Sequence, residues 1–208
     1  MIIAVDGPTA SGKGTIARRL ADHFGVPHLD TGLLYRAVGR QVGLDEGDPD
    51  NEAHALAACA FPDALLEDEA LRSEAVGSLA SRVSVHPAVR EALFKRQRAF
   101  AEQAGGAVLD GRDIGTVIAP DADVKLFITA SVQERAKRRW LEMTGREMEI
   151  SLDEIERDIV MRDERDITRK DAPLKAASDA LVIDTTSFDR EQAFETVLEA
   201  VKEALSRA

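Results

Sequence analysis

Short apolar runs recur along the chain, and each is followed by small or polar residues and then by a helical pattern. The runs occupy residues 2–5, 26–29, 107–109, 124–128 and 180–183. Apolar runs without alternation are typical of strands that are buried on both faces of a parallel sheet. The repeated change from strand to helix therefore predicts an α/β domain, with a five-stranded parallel sheet between two layers of helices.

The apolar spacing also predicts the first and last helices. Residues 16, 17, 20, 21 and 24 are apolar, and so are residues 193, 194, 197, 198, 201 and 205. Both sets recur every three or four positions, which places them on one face of a helix. Ser187 or Asp189 can cap the last helix.

Two segments interrupt this alternation. Residues 43 to about 84 begin with a polar turn and continue with mixed, Ala-rich sequence that does not fit one strand–helix unit. We interpret them as an inserted subdomain ahead of a long helix at 87 to about 103. Residues 143–150 include Gly145 and Arg146 and lie between two charged helical patterns, which predicts a helical lid over about 131–165. The chain is then a single domain, 1–208, with its core in 1–42, 85–142 and 151–208.

The first strand leads into a glycine-rich segment, Asp-Gly-Pro-Thr-Ala-Ser-Gly-Lys-Gly-Thr, at residues 6–15. Glycines let backbone N–H groups converge on phosphate oxygens, and the N-terminus of the following helix adds partial positive charge. Lys13 is placed to reach the β- and γ-phosphates. A simple turn between strand and helix is the alternative, but it explains neither Lys13 nor three glycines within eight residues. The predicted phosphate-binding residues are Gly7, Pro8, Thr9, Ala10, Ser11, Gly12, Lys13, Gly14 and Thr15.

Composition narrows the class of protein. The formal net charge is −11 and only 4% of the residues are aromatic, which disfavours nucleic acid and anionic membranes as partners. The single cysteine, Cys59, excludes an intrachain disulfide and a cysteine metal cluster. No apolar run approaches the ~20 residues that span a bilayer. Met1 leads directly into the first strand, so we expect no secretory signal and a cytoplasmic location. We also expect a monomer, because no helix has a sustained second apolar face.

Polar residues follow the second and third strands, whose carboxyl ends should line a ligand crevice. Residues 30–36 supply Thr31 and Arg36, with helix capping by residue 30 or 31 as the alternative. Residues 110–116 supply Asp110, which can orient Mg²⁺ or its waters together with Thr15. In the same segment Arg112 can hold a second phosphate, and Asp113 can accept a hydrogen bond from the amino group of a base.

Arginines cluster in the last third of the chain. Arg162, Asp166 and Arg169 are spaced i, i+4, i+7 and so share one helix face. Without the other motifs, a solvated helix with ion pairs would be the favoured interpretation of this run, and the same holds for Arg135, Arg138 and Arg139. The four histidines, at positions 23, 28, 54 and 86, lack metal-ligand spacing, so we expect structural or exposed roles for them.

Taken together, these motifs resemble bacterial cytidylate kinases, phosphate-loop enzymes that transfer the γ-phosphate of ATP to CMP or dCMP. The resemblance runs from residue 2 to about 185. It rests on Asp-Gly-Pro and Gly-Lys-Gly-Thr at 6–15, Leu-Asp-Thr-Gly and Tyr-Arg at 29–36, Val-Arg-Glu-Ala-Leu at 89–93, Arg-Gln-Arg at 96–98, Asp-Gly-Arg-Asp-Ile-Gly-Thr at 110–116, Arg-Asp-Glu-Arg-Asp at 162–166 and Ala-Pro-Leu at 172–174. It implies the phosphate-loop three-layer fold, with an inserted monophosphate-binding subdomain and a helical lid. ATP and Mg²⁺ are the implied cofactors.

The resemblance also implies a role for each matching residue. Arg36, Arg112 and Arg162 would clamp the CMP phosphate. Ser81, Arg90 and Asp113 would read the cytosine edge. Asp166, helped by Arg162, would hold the sugar hydroxyl, and Thr31 keeps the hydroxyl that a serine often supplies in the family. Lys13, Arg112 and Arg162 would be catalytic, and Arg139 and Arg169 would add charge in the transition state.

Other functions stay open from the sequence alone. A kinase for AMP, UMP or a small metabolite such as shikimate would carry the same phosphate loop; the segment 110–116 and the insertion favour cytidylate. A nucleotide-sensing switch would bind ATP without an acceptor, but the arginine cluster exceeds what one nucleotide requires. A nucleic-acid-binding domain is disfavoured by the net charge.

Overall fold

A computed structural model describes residues 1–144 and 151–207. Within them one parallel sheet runs through the centre, in the order β2-β3-β1-β4-β5. The strands are β1 (Ile2–Asp6), β2 (His28–Asp30), β3 (Ala107–Gly111), β4 (Val124–Thr129) and β5 (Leu181–Asp184). The predicted fold class and five-stranded parallel sheet are confirmed.

Helices cover both faces of this sheet. The α-helices are α1 (Lys13–Phe24), α2 (Thr31–Leu44), α3 (Glu52–Ala57), α4 (Glu74–Val83), α5 (Pro87–Ala101), α6 (Val132–Thr144), α7 (Leu152–Thr168) and α8 (Arg190–Arg207). Alternate residues of β1 point to opposite layers: Ile3 packs with residues of α1 and α8, whereas Ala4 packs with Ala101 of α5. This arrangement produces the three layers that the strand–helix alternation predicts.

Both edge strands differ from the prediction in their burial. The run 26–29 was predicted as a buried strand, but β2 covers His28–Asp30, pairs only with β3 and contains no buried residue. The run 180–183 was predicted as a buried strand, but β5 lies at the sheet edge and pairs only with β4. Leu181 and Val182 are 37% and 61% exposed. An apolar run does not distinguish a central strand from an edge strand, because the number of neighbours depends on the order of strands in the sheet.

The segment 43–84 folds beside the sheet. It contains α3, three short 3₁₀ turns (Ala58–Ala60, Asp63–Glu67 and Glu69–Arg72) and α4. These elements share an apolar cluster with α2, built around Leu34, Val38 and Leu71. The segment therefore packs on α2 through an apolar cluster separate from those of the sheet; its status as an inserted subdomain and its role in binding stay predictions.

Helices α6 and α7 pack against each other in the region of the predicted lid. Ala136 and Met143 of α6 contact Ile155 and Ile159 of α7 in a separate apolar cluster. A capping box between Ser151 and Glu154 begins α7. The predicted connection at Gly145 and Arg146 lies outside the described residues. No helix in the described ranges is long and apolar enough to cross a membrane.

Candidate active site

The phosphate loop connects β1 to α1 through an unusual backbone. Gly12, the N-cap of α1, has φ 87°, and Gly7 has φ 154°. A Cβ at Gly7 would lie 2.0 Å from the carbonyl oxygen of Ile128, so only glycine fits there. This close approach fixes the loop against β4 and leaves the first turn of α1 at the mouth of a cleft.

Lys13 lies in this loop, with its Nζ 3.4 Å from the carbonyl oxygen of Pro8. Burial and, to a smaller extent, the nearby Arg112 guanidinium together lower the pKa of the Lys13 amine to about 8. A poorly solvated ammonium beside a second cation is a strong attractor for phosphate oxygens.

Asp110 is the penultimate residue of β3 and lies beside the loop. A Cβ at Gly14 would lie 3.6 Å from Asp110 Oδ2, so this carboxylate faces the first turn of α1. Thr31 donates its hydroxyl to the Asp110 carbonyl at 2.8 Å, and His28 Nε2 lies 2.7 Å from Asp110 Oδ1. Asp30 caps α2 by accepting from Leu33 N at 3.2 Å, which confirms capping for that residue.

The next residues of this segment reach across the cleft. Arg112 donates to Thr9 Oγ1 in the phosphate loop at 2.6 Å and to Asp166 Oδ2 in α7 at 2.7 Å. Burial raises the pKa of the Asp166 carboxyl, but Arg112 and Arg169 outweigh burial and hold it below its usual range. Arg112 therefore stands at the junction of the loop and α7.

Asp113 is buried and paired with Arg90 of α5. The Arg90 guanidinium also lies over the Tyr35 ring, 5.6 Å from its centroid. Asp6 fixes the backbone after Asp113, because its carboxylate accepts from Ile114 N and Gly115 N, both at 2.8 Å. These contacts hold a carboxylate and a guanidinium in fixed directions, so both are preorganised for hydrogen bonds to a ligand.

Arg169 lies on the same side of the cleft as Asp113 and Asp166. Its Nη2 lies 3.7 Å from Asp113 Oδ1 and its Nη1 lies 3.8 Å from Asp166 Oδ1. The buried Nη2 has no hydrogen-bond partner among the described residues. Burial lowers the pKa of the Arg169 guanidinium, and Arg90 adds to this effect. A buried donor without a partner is available to a ligand.

Three further arginines surround the first turn of α4. Arg36 donates to the carbonyl oxygens of Leu71 and Ser73 at 2.7 and 3.1 Å. Arg139 and Arg162 both donate to Glu74. Burial and the neighbouring Arg162 lower the pKa of Arg36 to about 10. This arrangement concentrates positive charge on one side of the cleft.

The structure thus brings most of the predicted site residues to one cleft. Its lining includes Thr9, Ala10, Gly12, Lys13, Gly14, Thr15, Thr31, Arg36, Ser81, Arg90, Asp110, Arg112, Asp113, Arg139, Arg162, Asp166 and Arg169. Gly7, Pro8 and Ser11 lie in the loop but not on this lining. All except these three therefore share one ligand-sized depression.

Sequence reasoning missed several contacts of this cleft. Arg135 is 4% exposed and donates to Thr9 O at 3.1 Å, so its interpretation as a solvated residue is wrong. Arg138 donates to Thr185 O at 2.6 Å and links α6 to the end of β5. Arg165 donates to Ser81 Oγ at 2.8 Å. The spacing of arginines at 135, 138 and 139 was the available signal, but helical ion pairs produce the same spacing.

Comparisons with known proteins point to one family. The family model described as cytidylate kinase matches residues 3–203. A cytidylate kinase of Methylocella silvestris is 55% identical over 206 residues, which are 98% of this chain and 95% of that protein. A cytidylate kinase of Xanthobacter autotrophicus is 53% identical, with 97% of each chain covered.

Solved structures show the same fold at lower identity. An uncharacterized protein from Eubacterium ventriosum matches with a TM-score of 0.56 at 18% identity, covering 98% of each chain. The protein TT1252 from Thermus thermophilus matches with a TM-score of 0.51 at 22% identity, covering 99% of this chain and 97% of that one.

Proposed function

Since the chain belongs to the cytidylate kinase family, we propose that the cleft between the phosphate loop, α4 and α7 is where it phosphorylates its acceptor. The protein is a kinase that transfers a phosphate group from ATP to CMP or dCMP. The observation that carries the placement is Arg112, which contacts the phosphate loop at Thr9 and the acceptor side at Asp166. A guanidinium at that junction can touch donor and acceptor phosphates together.

On the donor side, residues 7–15 would hold the ATP phosphates, with Lys13 on the β- and γ-phosphates. Mg²⁺ fits beside them, because the Asp110 carboxylate faces the loop and Thr15 adds a hydroxyl in the first turn of α1. The ion, when bound, would neutralise charge on the triphosphate.

On the acceptor side, Arg36, Arg112 and Arg162 would clamp the phosphate of CMP. The cytosine edge would meet Ser81, Arg90 and Asp113, whose carboxylate can accept from the exocyclic amino group. Asp166 would accept from a sugar hydroxyl, and Thr31 would contact the nucleotide through its oxygen. The fixed Arg90–Asp113 pair supports this placement, since a prepositioned donor and acceptor favour one base over another.

No general base is required for this chemistry. The acceptor is a phosphate monoester with a second pKa of ~6, so it is mostly a dianion at neutral pH. The barrier lies in bringing two polyanions together and keeping water out. Lys13, Arg112 and Arg162 would neutralise charge, and Arg139 and Arg169 would add to it as phosphate is transferred.

The remaining expectations follow from the same proposal. A site built for ATP and one pyrimidine monophosphate needs neither nucleic acid nor a second copy of the chain, so we propose a monomer. Both nucleotides are metabolites of the cell interior, which supports a cytoplasmic location.

An ADP-release assay with Mg-ATP and CMP, dCMP, UMP, AMP or GMP, each offered separately, tests this function. We expect strong turnover with CMP and dCMP, and CDP or dCDP as the product. Preferred turnover of AMP, GMP or UMP would refute the assignment of Ser81, Arg90 and Asp113 to cytosine. ATP binding without any turnover would refute the kinase assignment.

A further inference from the structure

Glu74, a residue outside the predicted site, joins the insertion to the lid. It is the first residue of α4, and its two carboxylate oxygens are divided between two helices. Oε2 accepts from Arg139 of α6, with Nε at 2.8 Å and Nη2 at 2.7 Å. Oε1 accepts from Arg162 of α7. One carboxylate therefore fixes two arginines that come from separate helices.

The surroundings of Glu74 favour an ionised carboxylate. Burial raises its pKa, but Arg162 and Arg139 outweigh burial and hold it below its usual range. Asp158, which lies 3.3 Å from Arg162 Nη1, has its pKa raised by burial and by its hydrogen bond to Glu74. Glu142 lies 3.3 Å from Arg139 Nη1, but among the described residues Glu74 is the only carboxylate that forms ion pairs with both arginines.

The same turn of α4 also meets Arg36. The Ser73 carbonyl accepts from Arg36 Nη1 at 3.1 Å. A Cβ on Gly77 would lie 3.0 Å from Arg162 Nη2 and 3.1 Å from the Arg36 nitrogens, so the helix approaches both guanidinium groups closely. Three like charges at this spacing repel one another unless an anion holds them.

We propose that Glu74 is a positioning residue for phosphoryl transfer, which holds Arg139 and Arg162 in the geometry that the acceptor phosphate and the transferred phosphate need. This inference rests on the proposed function, because it takes the roles of those two arginines from it. The side chains of Glu74 and Arg162 are only 18% and 7% exposed, so the pair is partly desolvated and strongly directional. Glu74 acts through the arginines and contacts no substrate itself.

Steady-state kinetics of Glu74→Gln test the inference. The glutamine keeps the size and one acceptor oxygen but removes the charge. We expect kcat to fall about 10- to 100-fold, since misplaced groups cost about that much. The KM for ATP should stay within about twofold, because Lys13 and the phosphate loop do not contact Glu74. Glu69→Gln is the matched control, since Glu69 is exposed in the same insertion and has no ion pair among the described residues; it should match the parent enzyme.

The same substitution in the Arg162→Ala and Arg139→Ala backgrounds separates positioning from a purely structural role. If Glu74 acts through these arginines, its effect on kcat should shrink in each background. A normal kcat for Glu74→Gln, or an undiminished effect in both backgrounds, would overturn the inference. Thermal melting of each variant shows whether a loss reflects unfolding. Full activity of both arginine variants would instead refute their proposed catalytic roles, and the inference would fall with them.

Discussion

His28 Nε2 lies 2.7 Å from Asp110 Oδ1, across two neighbouring strands of the sheet. The two residues are 82 positions apart, and only the parallel pairing of β2 with β3 brings them together. The imidazole fixes one oxygen of the carboxylate that we assign to Mg²⁺, and leaves the other facing the phosphate loop. Loss of a group that orients a metal ligand typically lowers metal affinity by about 10- to 100-fold.

Replacing His28 should therefore lower the affinity of the enzyme for Mg²⁺. In His28→Leu the Asp110 carboxylate loses its partner and its preferred direction. We expect the apparent Mg²⁺ affinity to fall about 10-fold, measured by titrating Mg²⁺ at fixed ATP. His23→Leu is a suitable control because His23 is exposed on α1. An unchanged Mg²⁺ titration for His28→Leu would remove the support for Asp110 as the metal-orienting residue.

Lys13→Ala should abolish most of the activity while the fold stays intact. The lysine is the cation assigned to the β- and γ-phosphates, and its half-buried side chain lines the cleft. We expect kcat to fall by about two to four orders of magnitude, in line with loss of a preorganised charge. The control is Arg18→Ala, because Arg18 is exposed on the same helix. Near-normal turnover of Lys13→Ala would contradict the assignment of residues 7–15 as a phosphate-binding loop.

The affinity for ATP should depend on pH above neutrality. With a pKa of about 8, the free Lys13 amine is protonated below that pH and loses its charge above it. ATP binding, measured directly as a dissociation constant from pH 6 to 10, should therefore weaken as the pH rises through about 8. In Lys13→Arg the guanidinium stays charged, so this change should disappear. If ATP binding by Lys13→Arg also weakened at this pH, the titrating group would be one other than Lys13.

Asp113 should control the choice of base, but the variant must be chosen with its burial in mind. Asp113→Ala would leave the buried Arg90 without its counter-ion and Arg169 with Asp166 alone, and breaking a buried pair in this way costs ~3–5 kcal/mol. Asp113→Asn keeps the shape and an acceptor oxygen and adds a donor that suits a carbonyl. We expect the ratio of kcat/KM for CMP over UMP to fall about 10-fold or more. An equal loss with both acceptors would contradict a role in reading the base.

Much of the fold follows from local sequence. The runs at 107–109 and 124–128 lie within β3 and β4, because strands that are covered by helices on both faces are rich in apolar residues; only Lys125 interrupts the second run. The run at 180–183 predicts β5 but not its exposure, since the edge position comes from the strand order. The strand order depends on which helices pack together, and local sequence patterns do not contain that information.

The candidate site was predictable only where a motif carries its own chemistry. Lys13 and Asp110 stand in segments whose glycines, charges and strand ends point to phosphate. Glu74 and His28 stand in segments without such a signal, and their partners are 65 and 82 positions away. Contacts of this kind arise from tertiary packing, so the sequence alone leaves them indistinguishable from surface charge.

Two glycines of α2 provide a matched test of how the insertion packs. A Cβ at Gly39 would lie 2.8 Å from Leu79 Cβ and 3.0 Å from Ala80 N, whereas a Cβ at Gly43 would meet nothing within 4 Å. Gly43→Ala should therefore stabilise the protein by about 0.5 kcal/mol through helix propensity. Gly39→Ala should destabilise it by about 1–3 kcal/mol, because α4 must move away from α2.

The Gly39→Ala and Gly43→Ala variants also test whether the position of α4 affects substrate binding. Helix α4 carries Glu74 and Ser81, so its displacement in Gly39→Ala should raise the KM for CMP more than the KM for ATP. Urea denaturation gives the free energies of unfolding, and steady-state kinetics gives both KM values. Since both variants add one methyl group to the same helix, propensity alone would shift them in the same direction. Equal stabilisation by the two substitutions would show that α2 and α4 do not approach each other as closely at Gly39 as the structure has them.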